Sequence, residues 1–177
     1  AEWAGLFLEY KFFHYTNQAN VAPFIEYTAL SNKGHKINTY DFDLWFPQDN
    51  FYGDLKASDI TVTKAPGNDQ ETFIDCINKY GKFWYAIYEH ETEKDSNHNY
   101  EATKFWNELL GKEDLMSYCD KMKHSVKFMK MCIIEINRIN FHEVLSTFNQ
   151  GHQPDGSKRN PKYNINKRNI DNDVVYR

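Results

Sequence analysis

Residues 40–59 constrain the fold more than any other stretch, because two runs of alternating residues meet there across a single break. From 40 to 46, Tyr40, Phe42, Leu44 and Phe46 fall on one side and Asp41, Asp43 and Trp45 on the other, the period of a half-buried strand. Pro47, Asp49 and Asn50 preset turn geometry or bond their own backbone, so the chain is expected to reverse and return as a second strand from Phe51. On that strand Asp54 and Lys56 share a face, while Leu55 points into the opposite layer. Asp43 and Asp54 then stand at the facing ends of adjacent strands, where two carboxylates can offer hard oxygen ligands to one divalent cation. Magnesium suits such a set, since it keeps several waters and takes one or two carboxylates plus phosphate oxygens. Lys56 is placed to orient a metal-bound water or to stabilise charge on a phosphorus-bound oxygen. The alternative is an exposed hairpin with solvated Asp and Lys, or a weak cross-strand ion pair.

Asp43, ten intervening residues and the run Asp54, Leu55, Lys56 resemble the PD-(D/E)xK signature of restriction endonucleases and related DNA-cutting enzymes. Phe42 stands where the family's name has proline, Asp54 stands where glutamate is commoner, and Asp41 is a rival for the first acid. The resemblance implies an α/β fold with a restriction-endonuclease-like core: a central mixed β-sheet flanked by helices, in the order helix, three strands, helix, strand. It implies Mg2+ as cofactor, Asp43, Asp54 and Lys56 as catalytic residues, and Asp43, Asp54 and the Leu55 carbonyl as metal ligands. In that family the first helix commonly lends a glutamate to the metal, and Glu9 occupies the matching position; a salt bridge is the other reading of Glu9. The implied activity is magnesium-dependent hydrolysis of double-stranded DNA, as in a type II restriction endonuclease, by a homodimer if both strands of a symmetric site are cut. A non-catalytic DNA-binding or interaction module of the same fold, or a junction-resolving or repair nuclease, are the alternatives.

Along the rest of the chain, Trp3, Leu6, Phe7, Tyr10 and Phe13 are spaced as one apolar face of a first helix, widened by Leu8 and Phe12. Residues 23–30 have strand composition, and Ala65, Pro66, Gly67 and Asn68 are expected to stop whatever follows the hairpin. Phe73, Ile74, Ile77 and Tyr80 set a helical period closed by Gly81, and residues 82–90 follow as a strand. Strand, helix, strand predicts a crossover onto the same sheet. Residues 99–111 and 112–124 read as packing helices, 126–134 as a central strand and 141–148 as a short helix.

With 177 residues and no second-domain linker, a single nuclease domain over 1–177 is expected. The absence of an initiating Met is consistent with a longer parent chain. No apolar run approaches the ~20 residues needed to span a bilayer, so no membrane partner is expected. Cys76, Cys119 and Cys132 form no CxxC pair, which argues against structural zinc or disulfides and for a cytoplasmic protein. A net charge of −4 carries no global nucleic-acid signal. Local clustering does: residues 151–177 form a basic C-terminal segment, with Lys158, Arg159, Lys162, Lys167 and Arg168 interleaved with Gln153, Asn160, Asn164 and Asn166. Cations position phosphates and Asn, Gln and Arg read base edges, so this segment is expected to contact DNA; a solvated loop is the duller reading. The histidines lack zinc-site spacing, and Glu89 is left without an assigned role.

Overall fold

The computed structural model describes residues 3–18, 25–27, 42–111, 122–168 and 174–176. The chain is α/β. Helix α1 (Trp3–Gln18) leads to β1 (Glu26–Tyr27), β2 (Leu44–Phe46) and β3 (Phe51–Asp59), then to β4 (Lys64–Asp69) and α2 (Gln70–Tyr80). After β5 (Lys82–Lys94) come a 3-10 turn (Asp95–His98), α3 (Glu101–Leu109) and β6 (Lys123–Asn137). The end is built from α4 (Phe141–Val144), β7 (Leu145–Phe148), β8 (Lys162–Asn166) and β9 (Val174–Tyr176).

The main sheet runs β1-β2-β3-β5-β6-β9 and is mixed: β3 and β5 are parallel, the other neighbours antiparallel. The hairpin forms as its sequence requires. Leu44 pairs with Gly53 and Phe46 with Phe51, while Asn50 adopts the left-handed conformation that closes the turn and donates its N–H to the Phe46 carbonyl at 2.8 Å. Helix α2 makes the crossover between parallel β3 and β5, and Gly81, with a positive φ of 84°, ends it by donating to the Ile77 carbonyl.

Two apolar layers cover the two faces of this sheet. Phe83, Tyr85 and Ile87 of β5 pack with Phe73 and Ile77 of α2 and with Tyr163 and Ile165 of β8; Ala86 on the other face packs with Leu8, Phe46, Phe51 and Leu55. Cys76 and Cys132 are buried free thiols.

Several expectations need correction. Phe42 does not lie with Leu44 and Phe46: regular strand begins only at Leu44, and Phe42 packs edge-on to Phe83 on the opposite face. Helix α1 turns Ala4 and Leu8 inward while Phe7 and Tyr10 are exposed, because apolar residues all around the helix leave its buried line to the surface it meets. Residues 65–68 are strand, not a stop. Pro66 is tolerated because β4 is the edge of a second sheet, β4-β8-β7, with an irregular register between Pro66 and Asp69.

Phe105, Trp106 and Leu109 of the third helix, and Leu110 just after it, are exposed rather than packed. Residues 145–148 pair with β8 as strand instead of extending α4. The expected helix over 112–124 falls largely outside the described residues, and Lys123 already begins β6.

Candidate active site at the open edge of the sheet

Strand β2 covers β3 only as far as Gly53, whereas β5 stays paired with β3 through Asp59. From Asp54 onward, no strand among the described residues pairs with the second edge of β3. Asp43, immediately before β2, fills the start of that gap. Its carboxylate Oδ2 accepts the Leu55 N–H at 3.0 Å, and its own N–H donates to Asp54 Oδ1 at 3.3 Å. Because the N–H and C=O of one strand residue point to the same side, the Leu55 carbonyl also opens toward this edge. Lys56, two residues along the same face as Asp54, places its ammonium 2.5 Å from Asp54 Oδ2.

The electrostatics follow from that crowding. Burial, the hydrogen bond with Asp54 and the charge of Asp54 push the Asp43 carboxyl up from 3.8 to about 9. Burial alone would raise Asp54 as well. The Lys56 ammonium, together with hydrogen bonds from Asp43, Lys56 and Asn68, outweighs it and holds Asp54 below the usual carboxylate range. One acid of the pair therefore keeps its proton while the other is ionised and paired. Two carboxylates pressed together, one of them kept protonated by burial and by its neighbour, form a donor set that a divalent cation would relieve.

Asn68 and Tyr85 belong to this arrangement although their sequence context pointed to neither. Asn68 donates its amide N–H to Asp54 Oδ2 at 2.6 Å, and the buried Tyr85 hydroxyl donates to Asn68 Oδ1 at 2.8 Å. This chain fixes the Asn68 amide and hence the rotamer of Asp54. Asn68 reaches Asp54 only because β4 pairs with β8, a contact distant in sequence and invisible to local pattern.

Glu9 lines a cavity of about 540 Å³ at the same open edge, together with Leu55 and Lys56. It is thus brought near Lys56, on the α1 wall. No cluster of three His, Cys, Asp or Glu side chains suited to a metal occurs among the described residues, so any cation here would rest on the Asp43–Asp54 pair, the Leu55 carbonyl and water. Asp41, the rival acid, lies outside the described residues.

The basic segment divides. Lys158, Arg159 and Lys162 line an open, polar depression of about 330 Å³ with Asp69, Gln150, Gln153 and Asn160. Arg168 is exposed. Lys167 departs from its expected role on DNA: its side chain is only 8% exposed, and its ammonium donates to Glu89 Oε1 at 2.5 Å and to the Asp59 carbonyl at 2.9 Å. Glu89 also pairs with Lys130 at 2.8 Å. Glu89 and Lys167 thus tie the second sheet to the end of β3. An ammonium satisfied by two buried acceptors is not presented to a phosphate.

A mixed sheet with a carboxylate pair and a lysine at a strand edge left unpaired among the described residues defines an α/β protein with a candidate hydrolytic or binding site. Comparison with protein-family models, curated proteins and solved structures finds no match to this chain. Among the described residues, no helix is long and apolar enough to cross a membrane.

Proposed function

We propose that this chain is a magnesium-dependent endonuclease that hydrolyses phosphodiester bonds of double-stranded DNA, with a restriction-endonuclease-like core. The observation that carries this reading is the buried contact of Asp43 with Asp54 beside the Lys56 ammonium at the open edge of β3. Asp43, Asp54 and the Leu55 carbonyl would hold magnesium, with Glu9 supporting it through water. When bound, the ion would supply Lewis-acid charge to the phosphate and acidify a water. Lys56, ion-paired with Asp54, acts as a donor: it orients the attacking water and stabilises negative charge on a non-bridging phosphate oxygen. Asn68 and Tyr85 hold Asp54 in place. Lys158, Arg159, Lys162 and Arg168 grip the duplex, and cutting both strands of a symmetric site calls for a homodimer. The reading places the protein in the cytoplasm, where it meets DNA.

Incubating mixed phage DNA with the protein and magnesium should give discrete bands that chelation abolishes. No cleavage under any divalent ion, with duplex binding retained, would replace this reading with a non-catalytic DNA-binding module. Preference for branched over linear duplex would point to a junction-resolving enzyme.

The two kinds of lysine should separate cleanly. Lys158→Ala or Lys162→Ala should weaken binding to all duplexes alike and lower the slope of log affinity against log salt by about one unit. Lys167→Ala should leave that slope unchanged and destabilise the fold by about 2 to 3 kcal/mol, the loss of charged hydrogen bonds to buried acceptors. Salt titration of duplex binding and urea unfolding check both, and a reduced slope for Lys167→Ala would return that lysine to the DNA.

A further inference from the structure

Strands β7 and β8 continue beyond their regular pairing. Leu145 faces Ile165 and Phe148 faces Lys162, and the same register runs on outside the sheet: Arg159 donates its N–H to the Gly151 carbonyl at 3.0 Å, His152 bridges to Lys158, and Gln153 donates its N–H to the Ser157 carbonyl at 2.7 Å. The Gln150 side-chain amide adds a bond to the Asn160 carbonyl at 2.8 Å. Gly156, with a positive φ of 85°, turns the chain at the tip, where Asp155 Oδ1 accepts the Ser157 N–H at 2.9 Å and its hydroxyl at 2.6 Å. The result is a two-stranded ribbon. It reaches from Phe148 to Gln153, up to about 17 Å beyond the second sheet at the strand rise of ~3.3 Å per residue.

The ribbon buries nothing. Every residue from 151 to 160 is exposed and Pro154 is the only hydrocarbon side chain among them, so this stretch adds little to the core. It carries donors and acceptors instead. No apolar residue lines the depression that holds Lys158, Arg159 and Lys162, which therefore does not suit a lipid chain or the face of a ring. Asp69 is the single carboxylate there, set against three cations and standing opposite Lys162 in the ladder of β4 with β8. The Asp155 carboxylate is occupied by Ser157. Cations alone would suit any acidic partner, but Gln150, Gln153 and Asn160 interleave with them, and each amide is both donor and acceptor, as base edges require.

Duplex DNA presents a major groove ~12 Å wide and ~8.5 Å deep, which admits a two-stranded ribbon, whereas side chains cannot read the narrow major groove of an RNA duplex. The ribbon is also tied to the acid pair. Gln70 donates its N–H to the Pro161 carbonyl at 3.0 Å at the ribbon's root, and Asn68, just before it on β4, holds Asp54. We propose that this ribbon is the sequence-reading element of the protein: it enters the major groove, where Gln153 and Arg159 bond base edges while Lys158 and Lys162 hold the flanking phosphates. The inference rests on the reading of the chain as a DNA enzyme and names the part that chooses where it binds.

The test selects duplexes from a pool with randomised bases, using the full chain in calcium so that no turnover is needed. Sequencing the bound fraction should return a motif. Arg159→Ala should lose about tenfold in discrimination at one base pair, whereas Lys158→Ala should keep the motif and weaken all duplexes alike. In a second variant, Asn-Gly replaces residues 152–158, closing a two-residue hairpin on the existing bond between Arg159 and Gly151. Its urea midpoint should match the wild type, because the ribbon buries nothing, and its motif should be gone. A pool that yields no motif, or a motif that survives the shortened ribbon, overturns the proposal. So does ribbon-dependent binding that favours an RNA duplex or an acidic protein over DNA. A ribbon-dependent motif in a protein that cuts nothing with magnesium would remove the cleavage reading and keep the reader. Cleavage at a motif indifferent to the ribbon would do the reverse.

Discussion

Asp54→Ala and Lys56→Ala are both expected to abolish DNA cleavage, by about a thousandfold or more for the first and a hundredfold or more for the second. The reasons differ. Asp54→Ala removes the ionised member of the acid pair and leaves Lys56 and Asn68 without their shared acceptor, so the cation is lost with it. Lys56→Ala removes a positive charge beside the water and leaves Asp43, Asp54 and the Leu55 carbonyl in place. Calcium separates them, since it accepts looser oxygen geometry than magnesium and supports binding with little turnover. Calcium-stimulated duplex binding should persist in Lys56→Ala and shrink in Asp54→Ala. Asp43→Ala should follow Asp54→Ala, whereas Asp41→Ala should cut normally. An inactive Asp41→Ala beside an active Asp43→Ala would exchange the two acids, and full activity in both Asp54→Ala and Lys56→Ala would falsify the site. Circular dichroism of each variant confirms that it folds.

Without divalent cation, the stability of the protein should fall as pH rises, and Asp43 should be a main cause. Its carboxyl ionises near 3.8 in the unfolded chain and at about 9 when folded, raised by burial and by Asp54. Between those values the folded state binds more protons than the unfolded one, so unfolding free energy declines with pH across the window and levels off above it. Asp54 is shifted the other way, and its contribution is lost only below the ordinary carboxylate range as it gains a proton. Urea unfolding from about pH 5 to about pH 8 should show a shallower decline in Asp43→Asn, which has no proton to lose. Calcium or magnesium competes with that proton, so either ion should stabilise the wild type more near pH 8 than near pH 5. Equal pH slopes in the wild type and Asp43→Asn would show that the pair is not under electrostatic stress.

Much of the site was legible in the hairpin because its information is local. A period of two places Asp54 and Lys56 on one face whatever lies elsewhere, and Pro47 to Asn50 can do little but turn. The contact of Asp43 with Asp54 followed from the same hairpin. Phe42 did not follow, because strand period holds only where a partner strand enforces it, and β2 pairs with β3 only from Leu44. Lys167 was misjudged for a related reason: a lysine in a basic run looks solvated until a distant acid, here Glu89, claims it. Asn68 sat in a Pro-Gly stretch that reads as a loop, and only the pairing of its neighbours Pro66 and Asp69 with β8 made that stretch a strand.

The sequence by itself determined the hairpin, the amphipathic α2 with its Gly81 stop, the parallel crossover to β5 and the shared face of Asp54 and Lys56, and left Asp41 and Asp43 as rivals for the first acid. These depend on side-chain period and turn chemistry over a few neighbouring residues. The tertiary structure alone decided that β2 begins only at Leu44 and, among the described residues, leaves β3 unpaired on that side beyond Gly53, that a second sheet delivers Asn68 to Asp54, and that His90 and Lys123 share the cavity with Lys56. Each depends on strands far apart in the chain meeting in one register, and that choice is set by how whole faces pack rather than by any local pattern.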